Sequence, residues 1–190
     1  MSDGLPDVQR VEHFLADAQA MDDEQFLAKH GRAFLVHFGE IGEQLLRAAR
    51  PQRTLAFRGE VTSANVVTPM RVLKANFLVY PVIWTGRSPY PRMITVGRTR
   101  NNDIILPDES VSKFHAFFRS ATTAPHLPAG VMTVQDGGSR NGTFVDGAQV
   151  PNARTGGPVP IASGAQVRIG SIQLTFLDAP ALRALAVKVA

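Results

Sequence analysis

The sequence predicts a mainly β protein, a β-sandwich carrying an N-terminal α-helical extension. Two observations lead there. From Asn76 to Leu177, short runs rich in Val, Ile, Phe and Thr recur, with Gly, Pro, Asn and Asp turn signals about every 8–12 residues. Before them, residues 8–49 space their apolar side chains three and four apart.

Taken in order, Val8, Val11, Phe14, Leu15 and Ala18 define one face of a first helix over residues 8–20, with Asp7 as N-cap. A second begins at Asp22 or Asp23 with acidic residues in its first turn, places Phe26 and Leu27 on one face, and meets a possible stop at Gly31. Phe34, Leu35, Phe38, Ile41, Leu45 and Leu46 continue the helical spacing to about Ala49, and Pro51 ends it. Residues 1–52 thus read as an N-terminal helical module. Its apolar stripe needs cover, from the sandwich or from a second copy in an oligomer, because isolated helices this short are marginal in water. Residues 53–74, broken by Pro69, read as a connector or edge strands.

Residues 75–178 then form the sandwich. The run from Phe77 to Trp84 is a strand that Pro81 marks as an edge or bulge. Met93-Ile94-Thr95-Val96, Ile104-Ile105-Leu106 and His115-Ala116-Phe117-Phe118-Arg119 follow, with a loop over residues 120–130. Val131 to Asp136 alternates, and Asp146-Gly147 after Thr143-Phe144-Val145 is the strongest hairpin signal. Val159 to Ile161, Gln166 to Ile169 and Ile172 to Leu177 complete the series. Residues 179–190 form a C-terminal tail able to make a short helix through Leu182, Leu185 and Val189.

Composition excludes several functions. The chain has no cysteine, so disulfides, thiol catalysis and cysteine metal sites are out, which fits a reducing compartment. The opening residues lack a basic, apolar signal pattern, and no apolar run approaches the roughly 20 residues that cross a bilayer, so a cytoplasmic, membrane-free protein is expected. His13, His30 and His37 lack a metal-binding spacing, and Glu40/Glu43 reads as a solvated face. Charge is asymmetric: five Lys/Arg against nine Asp/Glu in residues 1–50, net −4, and fifteen against seven in residues 51–190, net +8. A basic second part attracts phosphorylated or acidic ligands, or nucleic acid.

Four motifs fall just beyond strands: Gly97-Arg98, Asn101-Asn102-Asp103-Ile104, Ser112-Lys113-Phe114-His115 and Ser139-Arg140-Asn141-Gly142-Thr143. They bring arginine, lysine, hydroxyl and amide donors to one end of a β-structure. That is chemistry for holding an anion. Arg98 is the principal anchor, since a planar guanidinium matches two phosphate oxygens; the alternative is an ion pair with Asp103 or Asp108. Ser112 offers a hydroxyl and a backbone N–H, and Lys113 a point charge. His115 could act as a base on Ser112, but no acid in the sequence clearly orients it. P-loop, dinucleotide and nucleophile-elbow motifs are missing, as is a recognition helix for DNA.

In this order and spacing the motifs closely resemble the forkhead-associated (FHA) domain, a phosphothreonine-peptide reader, over about residues 75–178. The resemblance implies a non-enzymatic adaptor without cofactor or metal. Its partners would be a phosphothreonine-containing protein and, upstream, a Ser/Thr kinase. Arg98, Ser112, Lys113 and Arg140 would bind phosphate, while Asn141 and, more weakly, Asn102 would hold the peptide. Gly97, His115 and Gly142 would support the site, His115 by tying loops through its ring nitrogens. Two other functions fit the same residues: a phosphate-independent assembly protein using sandwich and helices, and, less well, a basic nucleic-acid binder.

Overall fold

A computed structural model describes residues 8–39, 77–120 and 131–188. Two β-sheets pack face to face. The first has seven strands in the order β1 (Gln9–Arg10), β3 (Leu78–Pro81), β2 (Ala33–His37), β12 (Ile172–Asp178), β11 (Gln166–Ile169), β8 (Thr143–Val145) and β9 (Ala148–Gln149). The second has five: β10 (Val159–Ile161), β7 (Met132–Asp136), β6 (Ala116–Ser120), β4 (Ile94–Gly97) and β5 (Ile104–Ile105). Among these, β4 and β5 run parallel, and the other paired strands run antiparallel. The expected mainly β sandwich is what the chain builds.

Between the sheets lies an apolar core of Leu35, Val96, Ile104, Phe118, Val134, Val167, Ile169, Leu174 and their neighbours. A second core covers the outer face of the seven-stranded sheet. There Phe34, Val36, Val79 and Leu177 meet a 3-10 turn (Val11–Phe14), α1 (Leu15–Ala20), α2 (Asp23–His30) and α3 (Ala179–Lys188). The helices are joined by polar clamps. Asp17 on α1 accepts from Lys29 Nζ at 2.9 Å and from His30 Nε2 at 2.8 Å on α2, and Arg183 on α3 meets Asp23 at 3.0 Å. His30 also packs on Phe14 and Phe26.

Helix α2 shows its capping signal in full: Asp22 accepts from the Gln25 N–H at 2.8 Å while Gln25 Oε1 accepts from the Asp22 N–H at 3.2 Å. It ends at Gly31, whose φ of 96° suits glycine. The first expected helix is shorter than its apolar spacing suggests, since β1 and the 3-10 turn precede α1; Asp7 lies outside the described residues.

Over Phe34 to His37 the third expected helix is corrected to a strand. Phe34 and Leu35 sit in β2, between β3 and β12, with Phe34 in register with Leu177 and Pro81. Both faces of β2 are buried, Ala33 and Leu35 in the core between the sheets and Phe34 and Val36 under the helices. A strand covered on both sides is a continuous apolar run, and a short run of that kind carries no period of 2 to separate it from a helix. Ile41, Leu45, Leu46 and the 53–74 connector lie outside the described residues. Pro81 ends β3 where β1, paired only with Leu78 and Val79, no longer runs beside it.

Candidate functional site

Three loops converge at one end of the sandwich: residues 98–103 after β4, residues 106–115 between β5 and β6, and residues 137–142 between β7 and β8. Backbone bonds join the first two, with the Arg98 N–H donating to Ser112 O at 3.0 Å and the His115 N–H to Val96 O at 2.8 Å. They approach so closely that a Cβ on Gly97 would stand 2.2 Å from the Lys113 carbonyl oxygen. Only glycine fits there.

Asn102 is 2% exposed, and its amide donates to Lys113 O at 2.7 Å and Thr99 O at 2.9 Å. The sequence pointed to it as a peptide contact. The structure instead makes it a brace beneath the loops, because its carboxamide donates to main-chain carbonyls of two different loops at once. Asp103 is likewise internal, each carboxylate oxygen accepting from a backbone N–H and a hydroxyl, those of Thr85 and of Thr95.

His115 is fully buried, and its ring ties the second loop to the third. Its Nδ1 accepts the Ser112 N–H at 3.0 Å, so the ring proton sits on Nε2 and is donated to Gly142 O at 3.1 Å. Neither nitrogen is offered to the Ser112 hydroxyl, which removes the nucleophile–base arrangement, and the Ser112 N–H is not available to a ligand. Burial pushes the His115 pKa down, outweighing the Gly142 carbonyl and the Asp136 carboxylate, which favour protonation. Because its folded pKa is lowered, the unfolded chain takes up this proton first as pH falls. The stability His115 contributes is complete above the unfolded value of about 6.5 and is lost as pH drops toward the folded value. Thermal melts from pH 7.5 to 5 should therefore show a fall in Tm that is shallower in His115→Asn. Equal pH profiles for the two proteins would refute this.

The third loop is built around Asp136. This carboxylate, 4% exposed, accepts from the N–H groups of Gly138 and Ser139 at 2.8 and 2.9 Å and from the hydroxyls of Ser139 and Thr143 at 2.6 and 2.8 Å. Burial favours its neutral form, but these donors together favour the anion more, and its pKa is lowered. Ser139 Oγ then accepts the Gly142 N–H at 2.9 Å, and Gly142 adopts φ of 76°. With its loop fixed, the Arg140 N–H donates to Ser112 Oγ at 3.0 Å, and Asn141 Nδ2 to Ser110 O at 2.7 Å.

Ser112 is thus the point where the loops meet, its oxygen accepting from Arg140 and its hydroxyl hydrogen left to turn outward. Around it the side chains of Arg98, Lys113 and Arg140 are exposed and have no hydrogen-bond or ion-pair partner among the described residues. Neither expected rival pairs with Arg98: Asp103 is occupied internally, and Asp108 accepts from the Ser110 N–H and hydroxyl, which lowers its pKa. Asn141 is exposed, with its amide oxygen open. The arrangement presents cations, one hydroxyl and one carboxamide to solvent, a set that can bind an anion and the chain attached to it.

Asp136, Ser110 and Thr99 were not singled out from the sequence. The Thr99 hydroxyl lies 2.9 Å from Lys113 O and 2.6 Å from Asn101 Oδ1, two acceptors for its single proton. The spacing Asp136-Gly-Gly-Ser139 was a usable signal, since an aspartate commonly accepts from backbone N–H groups two and three residues ahead. Among the described residues no group of His, Asp and Glu could hold a metal ion, and no helix is long and apolar enough to cross a membrane.

Residues 94–170 match the FHA domain family. The chain is 32% identical to an ABC transporter ATP-binding/permease protein of Mycobacterium tuberculosis, over 72% of this chain and 15% of that protein. It is 38% identical to the glycogen accumulation regulator of Mycolicibacterium smegmatis, over 45% of this chain and 46% of that protein. The chain therefore spans less than half the length of either relative. A structure from a study of phosphothreonine-dependent FHA domain interactions is 26% identical, covering 45% of this chain and 75% of that one, with a TM-score of 0.36.

Proposed function

Residues 94–170 are an FHA domain, and from that premise we propose that the chain is a phosphothreonine-dependent protein-binding adaptor without catalytic activity. The observation that carries this is the junction at Ser112, where three loops are bonded together while Arg98, Lys113 and Arg140 remain unpaired in solvent. Arginine clusters of this kind serve phospho-motif recognition. Arg98, Arg140 and Lys113 receive the phosphate with the Ser112 hydroxyl, and Asn141 holds the peptide main chain. The partner is a protein carrying a phosphothreonine, and its modification requires a Ser/Thr kinase upstream.

Titrating the protein with a labelled phosphothreonine peptide and its unphosphorylated twin tests this. Binding should require the phosphate; equal binding of both peptides, or a steep salt slope on DNA with no peptide binding, overturns it. Affinity should also fall between pH 7 and 5. The free phosphate's second pKa is about 6, and cations around the bound phosphate lower it, so binding is complete above that value and lost below it as the free ligand takes up a proton. Equal affinity at both pH values, by calorimetry, would show that the dianion is not what the loops bind.

A further inference from the structure

Tyr90 is 50% exposed, yet it is held stiffly. Pro89 and Pro91 restrict the backbone on both sides. Its N–H donates to the hydroxyl of buried Ser88 at 3.1 Å, and its carbonyl accepts the Met93 N–H at 3.3 Å, closing a turn. The ring lies against Phe114, centroids 6.0 Å apart, and Phe114 stacks on Phe117 at 6.1 Å with planes 21° apart.

Phe114 connects this stack to the phosphate loops. It stands between Lys113 and His115, and its ring fills the space over Gly137, where a Cβ would come within 2.3 Å of it. Gly137 opens the loop that carries Arg140 and Asn141. The segment bearing Tyr90 is also anchored toward the first loop, through Thr85 and Asp103 at 2.7 and 2.8 Å. The stack thus roots in two of the three loops, and Tyr90 is its solvent end.

Resting on the phosphothreonine reading above, we propose that Tyr90, backed by Phe114, is a specificity-determining residue of the same site, taking an apolar side chain that flanks the ligand's phosphothreonine, proline foremost. A ring fixed in advance offers contact area at small entropic cost. Proline-containing extended segments dock on aromatic surfaces for the matching reason, that they are already ordered. A basic side chain there would meet repulsion from Lys113 and Arg140.

The test uses the full chain and a peptide library with fixed phosphothreonine and degenerate flanking positions, compared for the parent protein, Tyr90→Ala and Tyr90→Phe. The parent and Tyr90→Phe should enrich apolar residues, with proline highest, at one flanking position. Tyr90→Ala should lose that enrichment and bind the best peptide about 3- to 10-fold more weakly, while still requiring the phosphate and melting as the parent does. Retention of the library by all three proteins with the same enrichment overturns this inference alone. Failure of the parent to retain the phosphorylated library overturns the phosphothreonine reading and this inference with it.

Discussion

Arg98→Ala is expected to weaken phosphothreonine-peptide binding by about 10- to 150-fold, since a hydrogen bond to a charged group is worth roughly 1.5–3 kcal/mol. The guanidinium is exposed and has no partner among the described residues, so its removal should leave melting unchanged. The backbone N–H that joins residue 98 to Ser112 O survives the substitution. Asn141→Ala makes the informative contrast. It should lower affinity for the phosphorylated peptide while keeping the preference for phosphate, whereas Arg98→Ala should bring the two peptides closer together. Asn141→Ala also deletes the bond to Ser110 O, so a small loss of stability is expected in that variant alone. A folded Arg98→Ala protein that keeps its full affinity would place the phosphate elsewhere.

Asp136→Ala should be the most destabilising change in the site, by about 3–5 kcal/mol. It strips the acceptor from two backbone N–H groups and two hydroxyls in and beside the loop of residues 137–142, and each buried donor left unpaired costs about 1–3 kcal/mol. For a chain of this length the loss corresponds to a drop in Tm of about 6–20 °C. Asp136→Asn keeps the shape and one acceptor and should cost about half as much. The carboxylate's contribution is complete above its unfolded pKa of about 3.9 and fades as pH falls through the lower folded value. The difference between Asp136→Ala and the parent should therefore narrow in strong acid. A Tm within 2 °C of the parent at neutral pH would mean that the loop does not depend on this residue.

What could be read from the sequence depended on how local the signal was. The Asp146-Gly147 turn joins β8 to β9 with both residues at positive φ, 49° and 85°, as that dipeptide implies. The start of α2 at Asp22 and the strand from Ile172 to Leu177 were equally local. Strand β2 was not, because its character comes from partners far along the chain on both faces, and Phe34, Leu35 and Phe38 satisfy a helical spacing by coincidence. Asn102 was misplaced for a related reason. Its residue type suits peptide contact and loop bracing alike, and only the approach of Lys113 O, eleven residues away, decides between them. His115 could be weighed as a base or a tie from sequence, but the direction of its two bonds required coordinates.

Strand β2 carries a consequence for how the chain is made. One of its two partners in the sheet, β12, lies roughly 140 residues later, so at synthesis rates of about 5–20 residues per second β2 waits about 7–28 s before β12 exists. During that interval Phe34 and Val36 lack the cover of Leu177 and α3, and one edge of β2 is open. Closing so long a loop is also a slow way to complete a sheet. The segment that carries the phosphate loops, residues 94–170, is finished before β12, and the open edge of β2 is the surface a nascent chain would offer to chaperones or to a neighbouring copy.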